Sequence, residues 1–484
     1  MKNKFLEQAE KNMPQFFEES ITPAYRPSPL SAGDEIVLDL GGYYVGCFSF
    51  RLNYVDTYID APVRLSLKFC ETKRELSDDF SKYNGTISAS WLQEEIINAD
   101  NPEEYALPRR YAARYIKIRV MLSPQKLTLS DFRFKVVSSA DMGSLKSAVI
   151  RDHALRQIDS VAVNTLKNCM QRVFEDGPKR DRRLWIGDFR LEALADYCTF
   201  NQLPVVRRCM YLFAAAAPNE SGFIPSFVYE NPAYVSGDCF LMDYALLYVA
   251  AVCDYFIATG DKSTFLALYP VIKSQMDAAD KAVDSDGILS IPPDSEAFID
   301  WCPGLEKVTA LHGVYLYVLD LLTGVLEAIG HKEQEAYKAR LQRGRECAAE
   351  ILYDKSQGRF VNQKDNNQYS VHSTVWMILG GAAEGDEAVR LLHDVLGSEE
   401  SLKPFTPYMH HYEVEAMLKL NLLHEAEALI KRYWGGMAAA GADTFYEVYV
   451  PGKPDFSPYG DRMINSMCHA WSCTPSYFIR NYFI

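Results

Sequence analysis

The chain has 484 residues, of which 48% are hydrophobic and 24% charged, a composition typical of a globular protein and not of a disordered or fibrous one. Lys and Arg number 50 and Asp and Glu number 64, which gives a net charge of −14. Because this charge repels a phosphate backbone, the sequence argues against nucleic-acid binding.

The N-terminal part of the chain carries the pattern of short β-strands. Apolar residues alternate with polar ones or run together in the segments 35–40, 47–55, 63–71, 113–122 and 131–138. A period of two places one side of each strand in a core, and glycine and proline pairs punctuate the segments. Residues 1–142 are therefore predicted to form a β-sandwich of the jelly-roll kind.

From residue 143 the hydrophobic period becomes helical, with apolar residues at i, i+3 and i+4. The predicted helices span 144–170, 189–200, 203–216, 239–259, 263–283, 307–329, 332–353, 370–383, 386–397, 408–420, 422–434 and 464–482. Short and long connections alternate, which predicts six helical hairpins closed into an (α/α) toroid over 143–484. The fold class is thus mainly α with a β domain. The long loops would gather at one end of the toroid, where function is commonly carried.

The ends and the cysteines of the chain bear on its location. The N-terminus has no apolar core of a signal peptide, and the longest apolar stretch, 244–257, contains Asp254 and is too short to span a bilayer. Eleven cysteines without a CxxC pair fit a reducing compartment. The sequence predicts a cytoplasmic protein with no membrane partner and leaves open whether it forms a homo-oligomer.

The first long loop concentrates acids, arginines and a tryptophan. Residues 175–188 read Glu-Asp-Gly-Pro-Lys-Arg-Asp-Arg-Arg-Leu-Trp-Ile-Gly-Asp. A sugar site needs carboxylates that accept hydrogen bonds from hydroxyls and an aromatic face that covers the C–H side of the ring. The loop fits either such a pocket or a solvated surface loop held by salt bridges.

Later long loops contain further unusual residues, namely Asp300-Trp301, Glu447 between aromatic residues, and His469. Each has a structural interpretation when taken singly, but their places in successive loops of one toroid favour a shared site. Zinc-ligand spacing, a phosphate-binding glycine loop and a GxSxG elbow are absent from the sequence. The sequence therefore predicts neither a cofactor nor a metal ion.

These residues resemble the motifs of the bacterial α-L-rhamnosidases of glycoside hydrolase family 78. The family's loop D-C-P-x-R-E-K-x-G-W-x-x-D matches Asp176, Pro178, Arg180, Trp185 and Asp188 without a gap. This alignment places Asp181 where the family has its general acid.

Two later segments extend the resemblance. The family's G-A-T-T-x-W-E motif is similar to residues 441–447 and places Glu447 at the general-base position. Asp300-Trp301 resembles the G-D-W segment, and His469 stands where the family has a histidine that contacts the substrate. Residues 37–41 and 67–71 look like strands of the family's β domain.

The resemblance implies an enzyme that hydrolyses a terminal α-L-rhamnosyl residue with inversion. Asp181 would protonate the leaving oxygen and Glu447 would activate water. Inversion places the two carboxyl groups about 6.5–9.5 Å apart, and a separation above about 12 Å would contradict the assignment. The implied substrate-binding residues are Asp176, Arg180, Trp185, Asp188, Asp300, Trp301 and His469, with the tryptophans covering the C5-methyl side.

Three departures from the family pattern keep other interpretations open. The acid is Asp181 instead of glutamate, Tyr446 replaces a tryptophan, and the chain ends soon after the last helix, where a further β domain is common. If Asp181 fails as the acid, Asp188 and Glu175 are the next candidates. The alternatives are a glycosidase for another deoxy-sugar or a uronoside, a phosphorylase, and a carbohydrate-binding relic.

Overall fold

The computed structural model describes residues 3–55, 61–100 and 102–484, and it begins with helix α1 (Lys4–Lys11) and a β domain. The strands are β1 (Phe17–Ile21), β2 (Glu35–Tyr54), β3 (Val63–Cys70), β4 (Glu94–Ala99), β5 (Glu104–Ala106), β6 (Tyr111–Leu122) and β7 (Leu127–Ser138). They form one antiparallel sheet in the order β1-β7-β2-β6-β3-β4, with β5 beside β2.

Strand β2 joins the two halves of this sheet. Its first part pairs with β6 and its second part with β7, and the register shifts between Asp39 and Tyr44. Gly41 lies in this bulge with a φ of +79°, a conformation that glycine adopts without a steric penalty. Farther along, Phe48, Phe50 and Leu52 alternate with outward residues and are buried in the core of the domain.

Twelve helices follow in the described part of the chain. They are α2 (His153–Cys169), α3 (Ile186–Cys198), α4 (Leu203–Ala214), α5 (Met242–Thr259), α6 (Lys262–Lys281), α7 (Val308–Ile329), α8 (Gln334–Cys347), α9 (Val371–Leu379), α10 (Gly385–Gly397), α11 (Pro407–Lys419), α12 (Leu423–Ala439) and α13 (Pro475–Tyr482). Between them lie a small sheet of β8 (Leu184–Trp185), β9 (Phe227–Tyr229) and β10 (Val235–Ser236) and a hairpin of β11 (Tyr353–Asp354) and β12 (Arg359–Phe360).

The helices form six hairpins arranged in a ring. Helices α3, α5, α7, α9 and α11 pack on one another in succession, and α13 closes the inner ring by packing on α3. A short connection follows each inner helix except the last, whereas the loops that precede the inner helices, such as 170–185, 282–307 and 440–474, are mostly long. The long loops therefore lie at one end, and the predicted fold class is confirmed.

Two predicted helices are shorter than the sequence pattern indicated. The first begins at His153 and not at 144, because Asp152 accepts a hydrogen bond from the backbone N–H of Leu155 and acts as its N-cap. The last begins at Pro475, since proline suits the first turn of a helix and disfavours helix before it. The predicted domain boundary at 142/143 lies in the segment between β7 and α2 and stays a prediction.

Two helices are long and apolar enough to cross a membrane by length and composition, α5 and α7, among the residues that the structure describes. Their apolar windows are 72% and 78% buried inside the ring. Burial in the core of the protein accounts for this composition.

The β domain holds two of the long loops of the ring through buried polar contacts. Lys179 Nζ lies 3.2 Å from a carboxylate oxygen of Glu71 and 3.2 Å from one of Glu75. The other oxygen of Glu71 accepts a hydrogen bond from Tyr43, at 2.7 Å, and the backbone N–H of Met467 donates to Glu71 at 3.1 Å. The first and last long loops are thereby fixed to the same strand end.

Candidate active site

A cavity of about 270 Å³ opens at the end of the ring where the long loops meet. Of the polar residues predicted from the sequence, those that line it are Asp176, Arg180, Asp181, Asp188, Glu447 and His469. Both predicted tryptophans of the first and third loops, Trp185 and Trp301, line it as well. The cavity thus brings together eight of the nine predicted site residues.

The first loop is folded around the side chain of Asp176. Its two carboxylate oxygens accept hydrogen bonds from the backbone N–H groups of Asp181, at 3.2 Å, and Arg183, at 2.9 Å. A Cβ on Gly177 would lie 2.4 Å from the carbonyl oxygen of Arg180, so only glycine permits this close turn. The turn directs the carboxyl group of Asp181 into the cavity.

The guanidinium of Arg180 forms an ion pair with the carboxylate of Glu447. Its Nη1 lies 3.3 Å from Oε1 of Glu447, its Nη2 bonds the other oxygen, and its Nε donates to the carbonyl of Ile464 at 2.8 Å. The Tyr459 hydroxyl donates to Oε1 of Glu447 at 2.5 Å. These donors of Arg180 orient Glu447, and the predicted contact of Arg180 with sugar hydroxyls stays a prediction.

The same guanidinium limits the distance between the two proposed catalytic carboxylates. Nη1 of Arg180 lies 4.0 Å from Oδ1 of Asp181 and 3.3 Å from Oε1 of Glu447. These two oxygens can therefore be no farther apart than the sum of the two distances. This upper limit lies well below the separation of about 12 Å at which the assignment would fail, and it admits the lower part of the inverting range.

Burial and charge set different protonation states for the acids of the cavity. Burial, followed by the negative charge of Asp181, raises the pKa of Asp176 to about 8. Burial also raises the pKa of Glu447, but the charges of Arg180 and His469 outweigh it and hold this pKa below its usual value. Glu447 is consequently ionised and able to accept a proton, while Asp176 carries one at neutral pH.

His469 lies beside Asp188, another acid of the cavity. Its Nε2 lies 3.2 Å from Oδ1 of Asp188, in the first turn of α3. Burial lowers the pKa of His469, but Glu447 and Asp188 outweigh burial and raise it overall. A protonated His469 contributes a positive charge and a donor to the polar side of the cavity.

Aromatic and aliphatic side chains complete the lining of the cavity. Trp185 contacts Phe227, with ring centroids 4.6 Å apart, and Trp301 lies edge-on to Trp471 at 5.3 Å. The further aromatic and aliphatic lining residues are Ile87, Leu241, Tyr244, Phe298, Tyr459 and Trp471. None of these residues was predicted to belong to the site. Tyr459 lies in a Ser-Pro-Tyr-Gly turn close to Glu447, and this turn signal beside the base motif could have identified it.

Asp300 lies outside the cavity, which corrects its predicted role in substrate binding. Its oxygens accept hydrogen bonds from the backbone N–H groups of Phe405, at 2.7 Å, and Thr406, at 3.1 Å, and one oxygen lies 2.7 Å from Nε2 of His372. The side chain is therefore used entirely within the protein. It ties the Trp301 loop to the segment before α11.

We expect Asp300→Ala to destabilise the protein without acting on the sugar directly. The buried donors of Phe405 and Thr406 would lose their acceptor, at about 1–3 kcal/mol each, so the free energy of unfolding should fall by about 3 kcal/mol in urea titrations. Glu306→Ala, at an exposed position of the same loop, is the control. Unchanged stability together with weaker rhamnose binding would show that Asp300 contacts substrate after all.

The fallback acid Glu175 is also placed elsewhere. Its carboxylate forms an ion pair with Arg110 at 2.6 Å and does not line the cavity, so Glu175 is wrong as an alternative general acid. Within residues 3–55, 61–100 and 102–484, no group of three His, Cys, Asp or Glu side chains is arranged to hold a metal ion.

Comparison with known proteins gives consistent matches over the whole chain. The family model for the glycosyl hydrolase family 78 alpha-rhamnosidase N-terminal domain matches residues 16–138. The model for the bacterial alpha-L-rhamnosidase 6 hairpin glycosidase domain matches residues 143–483. A search of curated proteins gave no significant match.

Among solved structures, a rhamnosidase from Klebsiella oxytoca with rhamnose bound is 37% identical, with a TM-score of 0.94 and 99% of both chains covered. A family 78 rhamnosidase of Bacillus sp. GL1 is 21% identical, with a TM-score of 0.79 over 95% of this chain and 48% of that one. An α-L-rhamnosidase of Streptomyces avermitilis complexed with L-rhamnose has 16% identity and a TM-score of 0.71, covering 96% of this chain and 44% of that one. The last two likenesses concern the fold.

Proposed function

The chain belongs to the α-L-rhamnosidases of glycosyl hydrolase family 78, and we propose that it hydrolyses terminal α-L-rhamnosides with inversion through Asp181 and Glu447. The observation that carries the mechanism is one cavity in which Nη1 of Arg180 lies 4.0 Å from the carboxylate of Asp181 and 3.3 Å from that of Glu447. The upper limit that these two distances set on the separation of the carboxylates is compatible with the lower part of the range found in inverting glycosidases.

Each carboxyl group has one step in this mechanism. Asp181 transfers its proton to the glycosidic oxygen as the bond from that oxygen to the anomeric carbon breaks. Glu447 accepts a proton from water as the water oxygen bonds to the opposite face of the anomeric carbon. The products are rhamnose of inverted configuration and the free alcohol, and proton exchange with solvent restores both groups.

The remaining residues of the cavity orient the sugar. Arg180 and Tyr459 hold Glu447 in one position, which keeps it ionised and directed at the water. Asp176, Asp188 and His469 offer donors and acceptors to ring hydroxyls. These groups line the same cavity as the aromatic residues.

The apolar wall supports a 6-deoxy sugar over its 6-hydroxy analogue. Trp185, Trp301 and Leu241 line this wall and offer contact to a C5-methyl group. A hydroxymethyl group would have to bury a hydroxyl against these side chains, and an unpaired buried hydroxyl costs free energy. The observation disfavours neutral hexosides and keeps rhamnose as the first choice.

Inversion predicts which anomer of rhamnose is released first. We expect ¹H NMR of nitrophenyl α-L-rhamnoside hydrolysis to show β-L-rhamnose at early times, before mutarotation adds the α anomer. A parallel sample of pure α-L-rhamnose without enzyme gives the mutarotation rate. Early α-L-rhamnose would indicate retention and would contradict the acid–base pair. No hydrolysis at all would contradict the proposed activity.

We further propose that the protein acts in a bacterial cytoplasm. All eleven cysteines lie in the described part of the chain and are free thiols, and the sulfurs of Cys169 and Cys468 are 3.9 Å apart without a bond. Burial raises the pKa of the Cys169 thiol and keeps it protonated. The absence of nucleic-acid and membrane partners and the oligomeric state stay predictions.

A further inference from the structure

A second, larger cleft adjoins the sugar cavity at Asp181. Its volume is about 710 Å³, and it lies between the β domain, which contributes Trp91 and Arg110, and the helical domain, which contributes Arg182 and Tyr229. Asp181 is common to both cavities. Since Asp181 would protonate the glycosidic oxygen, the group on the far side of that oxygen must extend into this cleft, here called the leaving-group cleft.

The leaving-group cleft carries more positive than negative charge. Its arginines are Arg109, Arg110, Arg172, Arg182 and Arg183, and its carboxylates are Glu175, Asp181 and Glu230. Most of the acids are already neutralised, because Glu175 pairs with Arg110 at 2.6 Å and Glu230 with an arginine behind it, Arg208, at 3.0 Å. Arg109 pairs with Glu95 at 2.6 Å. Arg172, Arg182 and Arg183 are left to face the cleft.

Arg182 is the central member of this group. It is half-buried, and its Nε and Nη2 donate to the backbone carbonyls of Pro178, at 2.7 Å, and Arg110, at 3.0 Å. No ion pair to a carboxylate holds it within the described chain. Burial first, and then the charge of Arg110, lower the pKa of Arg182 to about 10. A negative charge placed nearby would therefore stabilise the protonated guanidinium.

Arg183 and Arg172 add further positive charge beside Arg182. Arg183 lies over the rings of Phe227, at 5.1 Å, and Tyr229, at 4.9 Å, and its nearest carboxylate is Asp181, at 3.6 Å. When Asp181 is protonated for catalysis, Arg183 loses that partner. Arg172 is exposed beside them. Trp91 and Tyr229 add aromatic surface of the kind that covers a sugar ring.

We propose that the leaving-group cleft binds an acidic sugar, so that the natural substrate is a rhamnoside of a uronic acid whose carboxylate pairs with Arg182 and Arg183. A planar guanidinium matches a carboxylate through two parallel hydrogen bonds. The proposal rests on the proposed function, because the cleft receives the group that Asp181 releases. It deepens that function by adding the charge of the leaving sugar.

The test compares two disaccharides with the same linkage, rhamnosyl-α-glucuronic acid and rhamnosyl-α-glucose, by their kcat/KM values. We expect the acidic disaccharide to be preferred at least tenfold at low salt, as one charge-assisted hydrogen-bonded pair provides, and the preference to shrink in 0.5 M NaCl. Equal rates or a preference for the neutral sugar would overturn the proposal. A stronger preference for a sulfated glucose arm than for the uronide would overturn the assignment to a carboxylate.

Variants locate the recognition. Arg182→Gln and Arg183→Gln should each lower the ratio of acidic to neutral kcat/KM several-fold, and the exposed Arg172→Gln should lower it less. The ratio is used because damage to the nearby acid slows both substrates alike. Arg343→Gln, on the exposed side of α8, makes the same charge change and should keep the ratio. Unchanged ratios in all three cleft variants would overturn the proposal, whereas failure to cleave nitrophenyl rhamnoside would refute the activity itself.

Discussion

Replacing Glu447 by glutamine is expected to lower kcat by about 10²–10⁴-fold on both a natural and a nitrophenyl rhamnoside. Water must be deprotonated whatever the leaving group is, and an amide cannot accept that proton. Arg180 and Tyr459 fix the position of the Glu447 side chain, so we expect no other carboxylate of the cavity to replace it as the base. The two substrates should therefore lose activity by similar factors.

Azide separates loss of the base from loss of the fold. As an anion it needs no deprotonation, so it should restore turnover of nitrophenyl α-L-rhamnoside by Glu447→Gln and yield β-L-rhamnosyl azide, the inverted product. Glutamine leaves Arg180 without its charged partner, so thermal unfolding must be recorded alongside. Glu306→Gln, an exposed exchange of the same type, should retain full activity. Near-wild-type rates for Glu447→Gln without azide would assign the base to another residue.

The sequence predicted the place of the site better than the role of each residue. Asp176, Asp181, Glu447 and His469 share a cavity because the long loops precede inner helices of one ring, an arrangement that loop lengths alone indicate. The motif in the first loop also placed Asp176 in the site, and the hydrogen bonds that fix its turn span only five and seven residues.

Roles set by distant contacts could not be predicted in this way. Arg180 and Glu447 are 267 residues apart in sequence, and no local pattern in either loop indicates that the two side chains form an ion pair. Asp300 follows Ile299, whose φ of +53° is rare for a β-branched residue and redirects the chain at that point. Asp243, in the first turn of α5, holds this turn by accepting a hydrogen bond from the backbone N–H of Ile299 at 2.9 Å, another contact between segments distant in the sequence.

The β domain shows the same limit. Strand periodicity predicted its strands, but it did not predict that Ile87 and Trp91 of this domain would line the cavity and the leaving-group cleft. The backbone N–H of Thr86 donates to the carbonyl of Tyr459 at 2.9 Å, which fixes the loop beside Glu447. The domain therefore completes the site as well as flanking it, and this depends on packing between domains that no local pattern encodes.

Asp181→Asn should distinguish substrates where Glu447→Gln does not. A nitrophenyl group departs with little need of a proton, whereas a sugar alcohol needs one, so the variant should lose about 10²–10⁴-fold more kcat on a natural rhamnoside than on the nitrophenyl one. Measuring both substrates on one preparation makes the comparison independent of the fraction of folded enzyme.

The structure makes Asp176 the alternative to Asp181 as the general acid, because its pKa of about 8 keeps it protonated at neutral pH and it lines the same cavity. Its oxygens already accept two backbone hydrogen bonds, which suits a positioning residue better than a proton donor to the leaving oxygen. Asp176→Asn should therefore lower kcat on both substrates to a similar extent. If instead Asp181→Asn keeps its rate on the natural rhamnoside and Asp176→Asn shows the leaving-group dependence, the proton comes from Asp176, and the alignment that placed Asp181 at the acid position is wrong.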